Sequence, residues 1–175
     1  MNRDSVGEAE SLRVRLNTAG SGSARASTGL AVLDDLLILL AVTARFDLEV
    51  ASTLAGSEPE VEAIGAELGR QLAAALDRPD VRRLGSGAAP QDEALASVVL
   101  EASGRPLVVS NADLSSTRAG GLQADLAATV LDELARAAGL TIHVRLIEGE
   151  SSQHVLSAIF KALGIALARA TRGDG

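Results

Sequence analysis

The chain contains two histidines, His143 and His154, which are the side chains best suited to acid–base or metal chemistry. His143 lies in the segment IHVRL, whose alternation predicts a strand with Ile142 and Val144 on one face and His143 on the other, open face. His154 falls in the first turn of the last predicted helix, where the positive helix end favours a neutral imidazole that can accept a hydrogen bond or bind a metal. Taken alone, each is more often an ordinary surface or interface histidine. Two histidines without a carboxylate at a fixed spacing are weak evidence for a metal site.

Four glutamates stand close together at the start of a predicted helix, and they could form a set of metal ligands: Glu58, Glu60, Glu62 and Glu67. However, Ser57 followed three residues later by Glu60 is a capping box, and the helix dipole favours acidic residues in the first turn. Capping accounts for Ser57, Glu58 and Glu60. Glu62 is therefore left as a candidate ligand.

Other catalytic patterns are incomplete or absent. The G-S-G segments at 20–22 and 85–87 could cradle a phosphate, but neither has the third glycine of a dinucleotide fingerprint or the Lys-Ser/Thr of a P-loop. We interpret both as turns. The sequence has no nucleophile-elbow pattern and no cysteine, which argues against a hydrolase, thiol catalysis, disulfides and cysteine-based zinc sites.

The composition narrows the classes of partner. The 175-residue chain has 16 basic and 23 acidic side chains, and its net charge of -7 repels phosphate backbones. Its two aromatic residues, Phe46 and Phe160, are too few to stack on bases, so we expect no nucleic-acid partner. The longest apolar run, Leu30 to Ala44, is interrupted by two aspartates and is shorter than the roughly 20 residues that span a bilayer. With no signal-peptide pattern either, we expect a cytoplasmic protein without a membrane segment.

The hydropathy pattern predicts an α+β protein that contains one unit twice. A strand at 12–16, a turn-rich stretch, a helix from 30, a strand near 48–50 and a helix at 61–72 form the first copy. The second copy has two strands joined by a tight turn at Gly104-Arg105, a helix, a strand and a last helix. An offset of 94 residues places Leu36-Leu37 on Val130-Leu131, and an offset of 95, after one inserted residue, places Gly69 on Gly164. The pattern thus predicts two tandem β-β-α-β-α repeats.

We expect a flexible arm at 1–10, a first half-repeat at 11–88, a second at 89–171 and a tail at 172–175, with the two halves forming one globular domain. Each half forms a small sheet with helices packed on one face. The other face of each sheet remains open for assembly or for a ligand.

Five segments carry a resemblance to a known family: TGLAVLDDLL, FDLEV, VEAIGAELGRQLAAAL, PQDEALASVVLEASGRP and LTIHVRLIEGESSQHVLSAIFKAL. Collinear over roughly residues 11–170 and with the same duplication, they resemble imidazoleglycerol-phosphate dehydratase of histidine biosynthesis. The resemblance implies a manganese-dependent hydro-lyase that converts imidazole glycerol phosphate to imidazole acetol phosphate. It further implies two manganese ions at interfaces of a large symmetric assembly built from trimers, and therefore a homo-oligomer.

The resemblance assigns eight metal-ligand positions, of which three keep the family residue. Glu62 matches the glutamate of a first His-His-x-x-Glu motif, His143 matches a strand histidine, and His154 matches the second histidine of a second such motif. The other five positions hold Asp35, Glu58, Pro59, Gln153 and Ser157.

The resemblance also indicates residues for catalysis and for the substrate phosphate. The family's catalytic glutamate falls between Glu8 and Glu10. Its phosphate-binding cations match Arg83, Arg105 and Lys161, the only lysine, although these could also be solvated cations on an acidic protein. The Ser-Thr-Lys segment that closes the family sequences has no counterpart at the right spacing.

Our leading interpretation is a family homologue with a degenerate dimanganese centre that does not catalyse the standard reaction. It keeps the scaffold, binds a small phosphorylated ligand, and assembles with itself or with a catalytic paralogue. The alternative is an active dehydratase or related lyase with one remodelled manganese site, for which the donors are Asp35, Glu58, Glu62, His143 and His154. A third hypothesis is a purely structural interaction module. We expect no other cofactor.

Overall fold

The computed structural model describes residues 11–53, 56–114 and 125–173. Its first half contains β1 (Leu12–Asn17), β2 (Ala24–Ser27), α1 (Ala31–Ala44), β3 (Asp47–Ser52) and α2 (Glu58–Leu76). The strands form one sheet in the order β1-β3-β2, with β3 antiparallel to β1 and parallel to β2. Val50 of β3 stands opposite Val14 of β1 and Ala26 of β2, so the three strands share one apolar face.

The second half contains the remaining strands and helices: β4 (Leu84–Gln91), β5 (Ala94–Glu101), β6 (Leu107–Ser110), α3 (Leu126–Ala138), β7 (Thr141–Glu148) and α4 (Ser152–Thr171). Its sheet has the order β4-β5-β7-β6. From β5 onward it repeats the first half, because β7 lies between β5 and β6 as β3 lies between β1 and β2. The predicted tandem β-β-α-β-α repeats are therefore confirmed, with β4 as an additional edge strand. The turn at Gly104-Arg105 joins β5 and β6, which do not pair with each other.

The four helices fill the space between the two sheets. α1 and α2 pack on the first sheet and α3 and α4 on the second, and the two layers meet where α1 contacts α4 and α2 contacts α3. One continuous core results, to which the sheets contribute buried residues such as Leu48, Val98 and Ile142. The prediction that helices cover one face of each sheet is confirmed. The outer faces carry exposed residues, among them Arg13 and Arg15 on β1.

The helix layers approach most closely at glycines that the internal repeat relates. A Cβ atom on Gly69 of α2 would lie 2.6 Å from the carbonyl oxygen of Leu134 in α3, and one on Gly164 of α4 would overlap the carbonyl oxygen of Leu40 in α1. Leu40 and Leu134 are themselves 94 residues apart. Each half therefore packs its last helix against the equivalent residue of the other half, so the halves interlock around a shared core.

The prediction of a turn at residues 85–87 is wrong, because these residues lie in β4. Gly85 and Gly87 are buried positions inside this strand, on the side that packs against α4. A Cβ atom on Gly87 would lie 2.5 Å from the carbonyl oxygen of Ala162 and 2.6 Å from Cβ of Ile165. Glycine is required because the strand and helix backbones touch, and the same small residues remove the alternation that marks a strand. The predicted boundary between residues 88 and 89 falls inside β4.

The free edge of β1 is covered by a side chain. The Oε1 atom of Gln71, in α2, accepts a hydrogen bond from the N–H of Leu16 at 2.7 Å, and its Nε2 donates to the carbonyl oxygen of Val14 at 2.7 Å. One amide thus makes the two bonds that a neighbouring strand would make. Covering part of an edge in this way disfavours pairing with another chain.

Within the described residues, α4 is the one helix long and apolar enough to cross a membrane. Of its most apolar window, 67% is buried inside the protein, where α4 lies between the second sheet and α1. Packing in the core accounts for that apolar character.

Candidate functional site

His143 lies on the open face of the second sheet, as its alternation predicts. It is exposed, whereas Ile142 and Val144 on either side of it are buried. Its cross-strand neighbours are Val99 of β5 and Val109 of β6, both partly exposed. The imidazole therefore stands in an apolar strip, without a carboxylate directly opposite it.

His154 lies in the first turn of α4, where the turn between β4 and β5 meets it. Its Nδ1 atom is 2.6 Å from Glu93 Oε2, and its Nε2 atom is 3.5 Å from Asp92 Oδ2. Glu93 Oε1 accepts hydrogen bonds from the N–H groups of Ser151 at 2.8 Å and Glu150 at 3.2 Å. The N–H of Ser151, followed by the imidazole of His154, lowers the pKa of Glu93 from 4.5 to about 2. One ionised carboxylate thus holds the chain as it enters α4 and orients the imidazole, while the side chain of Ser151 caps the helix by accepting from the His154 N–H.

Asp92 and Glu93 are site residues that no motif in the sequence marks. The one signal in the sequence is that aspartate is common in the turns that join two strands. In the structure both residues lie in the turn between β4 and β5, where Asp92 has the left-handed φ of 49 that aspartate tolerates. The contact between Glu93 and His154 could not be predicted, because the two residues are 61 positions apart in the sequence. Both ring nitrogens of His154 face carboxylates, so a metal at this imidazole would have to displace one of them.

The predicted capping box at the start of α2 is confirmed. Glu60 is fully buried, and its Oε2 atom accepts hydrogen bonds from the N–H groups of Ser57 at 3.1 Å and Gly56 at 2.5 Å. Glu58 and Glu62 are exposed on the same helix. The fourth glutamate, Glu67, accepts hydrogen bonds at Oε1 from Arg70 and Gln71. The cluster therefore divides into one capping carboxylate, two carboxylates in solvent and one that is paired on its own helix.

Asp35 is exposed on α1, and its neighbour Asp34 has the structural role. Asp34 Oδ1 accepts hydrogen bonds from Thr28 N–H at 2.9 Å and from Thr28 Oγ1 at 2.6 Å. These bonds fix the chain as it enters the helix.

The three residues that the resemblance matches to metal-ligand positions lie on three separate elements. Glu62 lies on α2, His143 on β7 and His154 on α4. Across residues 11–53, 56–114 and 125–173, no group of three or more His, Asp or Glu side chains is placed to hold a metal ion. Glu8 and Glu10 lie outside the described residues.

The candidate phosphate-binding cations lie at two ends of β4. Arg83 precedes the strand and is tied to the loop that carries Arg105, because Ala102 N–H donates to the Arg83 carbonyl oxygen at 2.8 Å. Lys161 donates from Nζ to the carbonyl oxygen of Pro90 at 3.2 Å, near the other end. Seven residue steps of strand separate Arg83 from Pro90, which is roughly 20 Å. One chain therefore does not gather the three cations around a single phosphate.

The G-S-G segment at 20–22 lies in the loop between β1 and β2, as predicted, and its N–H groups hold a carboxylate of the protein itself. Asp47 Oδ1 accepts hydrogen bonds from Ser21, Gly22 and Ser23 N–H groups at 2.9, 3.2 and 3.0 Å. The N–H of Ser21, followed by that of Ser23, lowers the pKa of Asp47 below 3.8. This cradle is already filled, so it is not a phosphate site.

The fold and these side chains define a class, namely duplicated α+β proteins whose two sheets enclose four helices and whose imidazole and cationic side chains lie at the sheet faces and ends. The family model for imidazoleglycerol-phosphate dehydratase matches residues 28–167. The chain belongs to the imidazoleglycerol-phosphate dehydratase family, which confirms the resemblance seen in the sequence.

Individual relatives agree with this assignment over nearly the whole chain. The imidazoleglycerol-phosphate dehydratase of Acetivibrio thermocellus is 37% identical over 167 residues, which cover 93% of this chain and 86% of that relative. The enzyme of Syntrophobacter fumaroxidans is 39% identical over 163 residues, covering 91% and 83%. The crystal structure of the dehydratase from Staphylococcus aureus has a TM-score of 0.81 at 29% identity and covers 93% of this chain and 94% of that chain. The structure from Pyrococcus furiosus has a TM-score of 0.80 at 27% identity and covers 99% and 94%.

Proposed function

We propose that this chain is a dehydratase-family protein of histidine biosynthesis whose metal centre is too depleted for the standard reaction. It has kept the scaffold and the capacity to bind a small phosphorylated ligand. The observation that carries the proposal is that no group of three potential ligands lies together among the described residues, because even one intact His-His-x-x-Glu motif would place such a group on a single helix.

The remaining donors do not fit a pair of manganese ions. An intact His-His-x-x-Glu motif presents two imidazoles and a carboxylate within about one turn of one helix, so a single chain would display them together. In this chain the first motif keeps Glu62 and contains Pro59, which has no side-chain donor. The second keeps His154, whose Nδ1 atom already contacts Glu93. Losing even a hydrogen-bond partner of a metal ligand commonly lowers metal affinity or activity about 10- to 100-fold, and here five of the eight ligand positions themselves are replaced.

The cations Arg83, Arg105 and Lys161 are the residues we assign to the phosphorylated ligand. Because Arg83 and Lys161 lie at opposite ends of β4, they would act on one ligand only across neighbouring copies. This separation supports a homo-oligomer, which we propose to be built from trimers and to be located in the cytoplasm. The same surfaces would also allow assembly with a catalytic paralogue.

Metal content and turnover test the proposal directly. The full chain is incubated with excess Mn²⁺, desalted, analysed for metal, and assayed for conversion of imidazole glycerol phosphate to imidazole acetol phosphate. The Acetivibrio thermocellus dehydratase, treated identically, is the positive control. We expect far less than one manganese per chain and no product. Stoichiometric manganese with turnover would instead establish the active enzyme with a remodelled site.

A variant with the family residues restored tests whether the replaced ligands are the reason that the chain does not retain manganese. Returning the family residues requires five substitutions: Asp35→His, Glu58→His, Pro59→His, Gln153→His and Ser157→Glu. We expect this variant to retain manganese, because both motifs are then complete. The matched control has alanine at the same five positions. A restored variant that binds no more manganese than the alanine control would contradict the proposed cause.

Calorimetric titration with imidazole glycerol phosphate tests ligand binding separately from catalysis. We expect saturable heat that weakens in Arg105→Gln. An absence of heat from a large, homogeneous particle would favour a purely structural interaction module over our proposal.

A further inference from the structure

A cavity that the proposed function does not use lies where α1 and α4 end. Its volume is about 320 Å³, and it is lined by the loop after β1, the ends of both helices and a residue that follows α2. We call it the α1/α4 cavity. Its polar lining residues are Thr18, Arg45, Arg78, Thr171 and Arg172.

The internal repeat relates this cavity to a second one, where α2 and α3 end. That second cavity, the α2/α3 cavity, has a volume of about 340 Å³ and is lined by the loop after β5, the ends of both helices and Arg83. Ala44 of the first cavity corresponds to Ala138 of the second at the offset of 94, and Ala168 corresponds to Ala73 at the offset of 95. The duplication therefore provides a matched pair of cavities within one chain.

The two cavities differ in charge. Arg45 and Arg172 of the α1/α4 cavity correspond to Gly139 and Asp77 of the α2/α3 cavity. The α1/α4 cavity is thus lined by three arginines and no acidic side chain, although the whole chain has a net charge of -7. Arginine at a helix end can simply balance the helix dipole. The equivalent helix ends around the α2/α3 cavity carry Asp77 and Gly139, so a helix end in this fold does not require an arginine.

The arginines differ in how far they are already paired. Arg78 makes hydrogen bonds from Nη2 to Asp80 Oδ2 at 3.0 Å and from Nε to Asp80 Oδ1 at 3.3 Å. Arg45 and Arg172 are exposed and make no ion pair with any residue in the described ranges. Two guanidinium groups are therefore available to a ligand.

The backbone of Arg45 has a left-handed conformation, which Arg83 of the α2/α3 cavity shares with φ 64. Arg45 ends α1 with φ 60 and ψ 32, and Gly139 ends α3 with φ 66 and ψ 38. This left-handed conformation is favourable for glycine and strained for a residue with a Cβ atom. The first half thus has an arginine at a position where the second half has the residue that suits the backbone.

We propose that the α1/α4 cavity binds the phosphate group of a small metabolite through Arg45 and Arg172, with Arg78 at its rim. Guanidinium groups bind phosphate oxygens through paired, charge-assisted hydrogen bonds. The volume is at the lower end for small-molecule sites, which suits inorganic phosphate, diphosphate or a short phosphate monoester. None of the residues assigned to the metal or the phosphate in the proposed function lines this cavity, so the two proposals stand or fail separately.

Calorimetric titration of the full chain with inorganic phosphate, diphosphate and glycerol 3-phosphate tests the site, with sodium chloride at matched ionic strength as the anion control. All variants are prepared in an Arg83→Gln background, so that the α2/α3 cavity does not contribute. We expect one saturable event for at least one phosphate probe, weakened about tenfold or more by Arg45→Gly or Arg172→Gln. Arg25→Gln, on the outer face of the first sheet, is the matched control and should change affinity by less than about twofold. The proposal would be overturned by an absence of saturable heat, or by an affinity that both Arg45→Gly and Arg172→Gln leave unchanged from the Arg83→Gln parent.

Stability measurements separate binding from a structural role of Arg45. If Arg45 serves only as a helix cap, Arg45→Gly should leave the response to phosphate unchanged. In either case Arg45→Gly should unfold at a higher urea concentration than the parent without ligand, because glycine suits the left-handed backbone. If Arg45 binds phosphate, phosphate should raise the midpoint of Arg45→Gly less than it raises that of the parent. A parent whose midpoint does not rise with phosphate would contradict the proposal even if every variant folds.

Discussion

The closest contacts between the helix layers make a prediction whose size follows from the coordinates. Gly69→Ala would place a Cβ atom 2.6 Å from the carbonyl oxygen of Leu134 and 2.7 Å from Cβ of Ala137. Ordinary contacts begin at 3.4 Å, so α2 and α3 must move apart by about 0.8 Å. The obstacle is backbone, which cannot rotate away as the end of a side chain can. Gly164→Ala meets the same obstacle, since its Cβ atom would overlap the carbonyl oxygen of Leu40.

Two free-energy terms of opposite sign decide the outcome. Overpacking typically costs about 1–3 kcal/mol, and rigid backbone favours the upper end of that range. Alanine in place of glycine inside a helix contributes about 1 kcal/mol of stability. We therefore expect each substitution to lower the free energy of unfolding by about 2 kcal/mol, which moves the urea midpoint down by about 1 M.

Urea unfolding at a fixed protomer concentration measures both variants, because assembly makes apparent stability depend on concentration. Ala74→Gly, at an exposed position of α2, isolates the helix-propensity term and should cost about 1 kcal/mol. Because the repeat relates Gly69 and Gly164, their alanine variants should be destabilised by similar amounts. If either variant becomes more stable by the propensity difference alone, the helix layers do not touch as described and the interlocked arrangement is wrong.

Three further predictions concern the edge of β1, the loop between β1 and β2, and the assembly of the protein. Gln71→Ala removes both hydrogen bonds to β1 and should cost about 1–3 kcal/mol in urea unfolding, with concentration-dependent light scattering from the uncovered edge; unchanged scattering would contradict the role of Gln71. Asp47→Ala should be less stable than the parent at neutral pH. Because the pKa of Asp47 is lowered on folding, its contribution is present above pH 3.8 and is lost as the pH falls below that value, so the difference between the two unfolding curves should shrink there. Finally, chelator should leave the particle size unchanged in light scattering, and dissociation by chelator would show that metal ions hold the assembly together.

Local order along the chain accounts for most of what could be predicted from sequence. The alternation around His143 predicts its exposure correctly, because successive strand side chains point to opposite faces. Ser57 and Glu60 predict the start of α2, because capping depends on residues only three apart. The duplication could be predicted because both copies keep apolar residues at the same positions. The order of strands and helices in each copy then predicted the α+β class, and the matching segments predicted the family.

Contacts between distant segments were decided by the tertiary structure. β4 has no hydropathic alternation because its buried positions are glycine and alanine, and the need for small residues arises only where α4 lies against it. Glu93 and His154 are 61 residues apart, and they meet only because the turn between β4 and β5 reaches the start of α4. The separation of Arg83 from Lys161 is likewise set by the length and position of β4.

The amino-acid sequence by itself determined the repeated unit, the apolar face of each element and the family, since each of these depends on residue types at short, regular spacing. Only the tertiary structure decided which elements touch, how closely their backbones approach and which charged groups share a cavity. The physical reason is that close approach depends on the missing Cβ atoms and on strand register, and neither leaves a periodic mark in the chain. The three arginines at the end of α1 and α4 illustrate this, because they are scattered over 128 positions of the sequence and come together only in the fold.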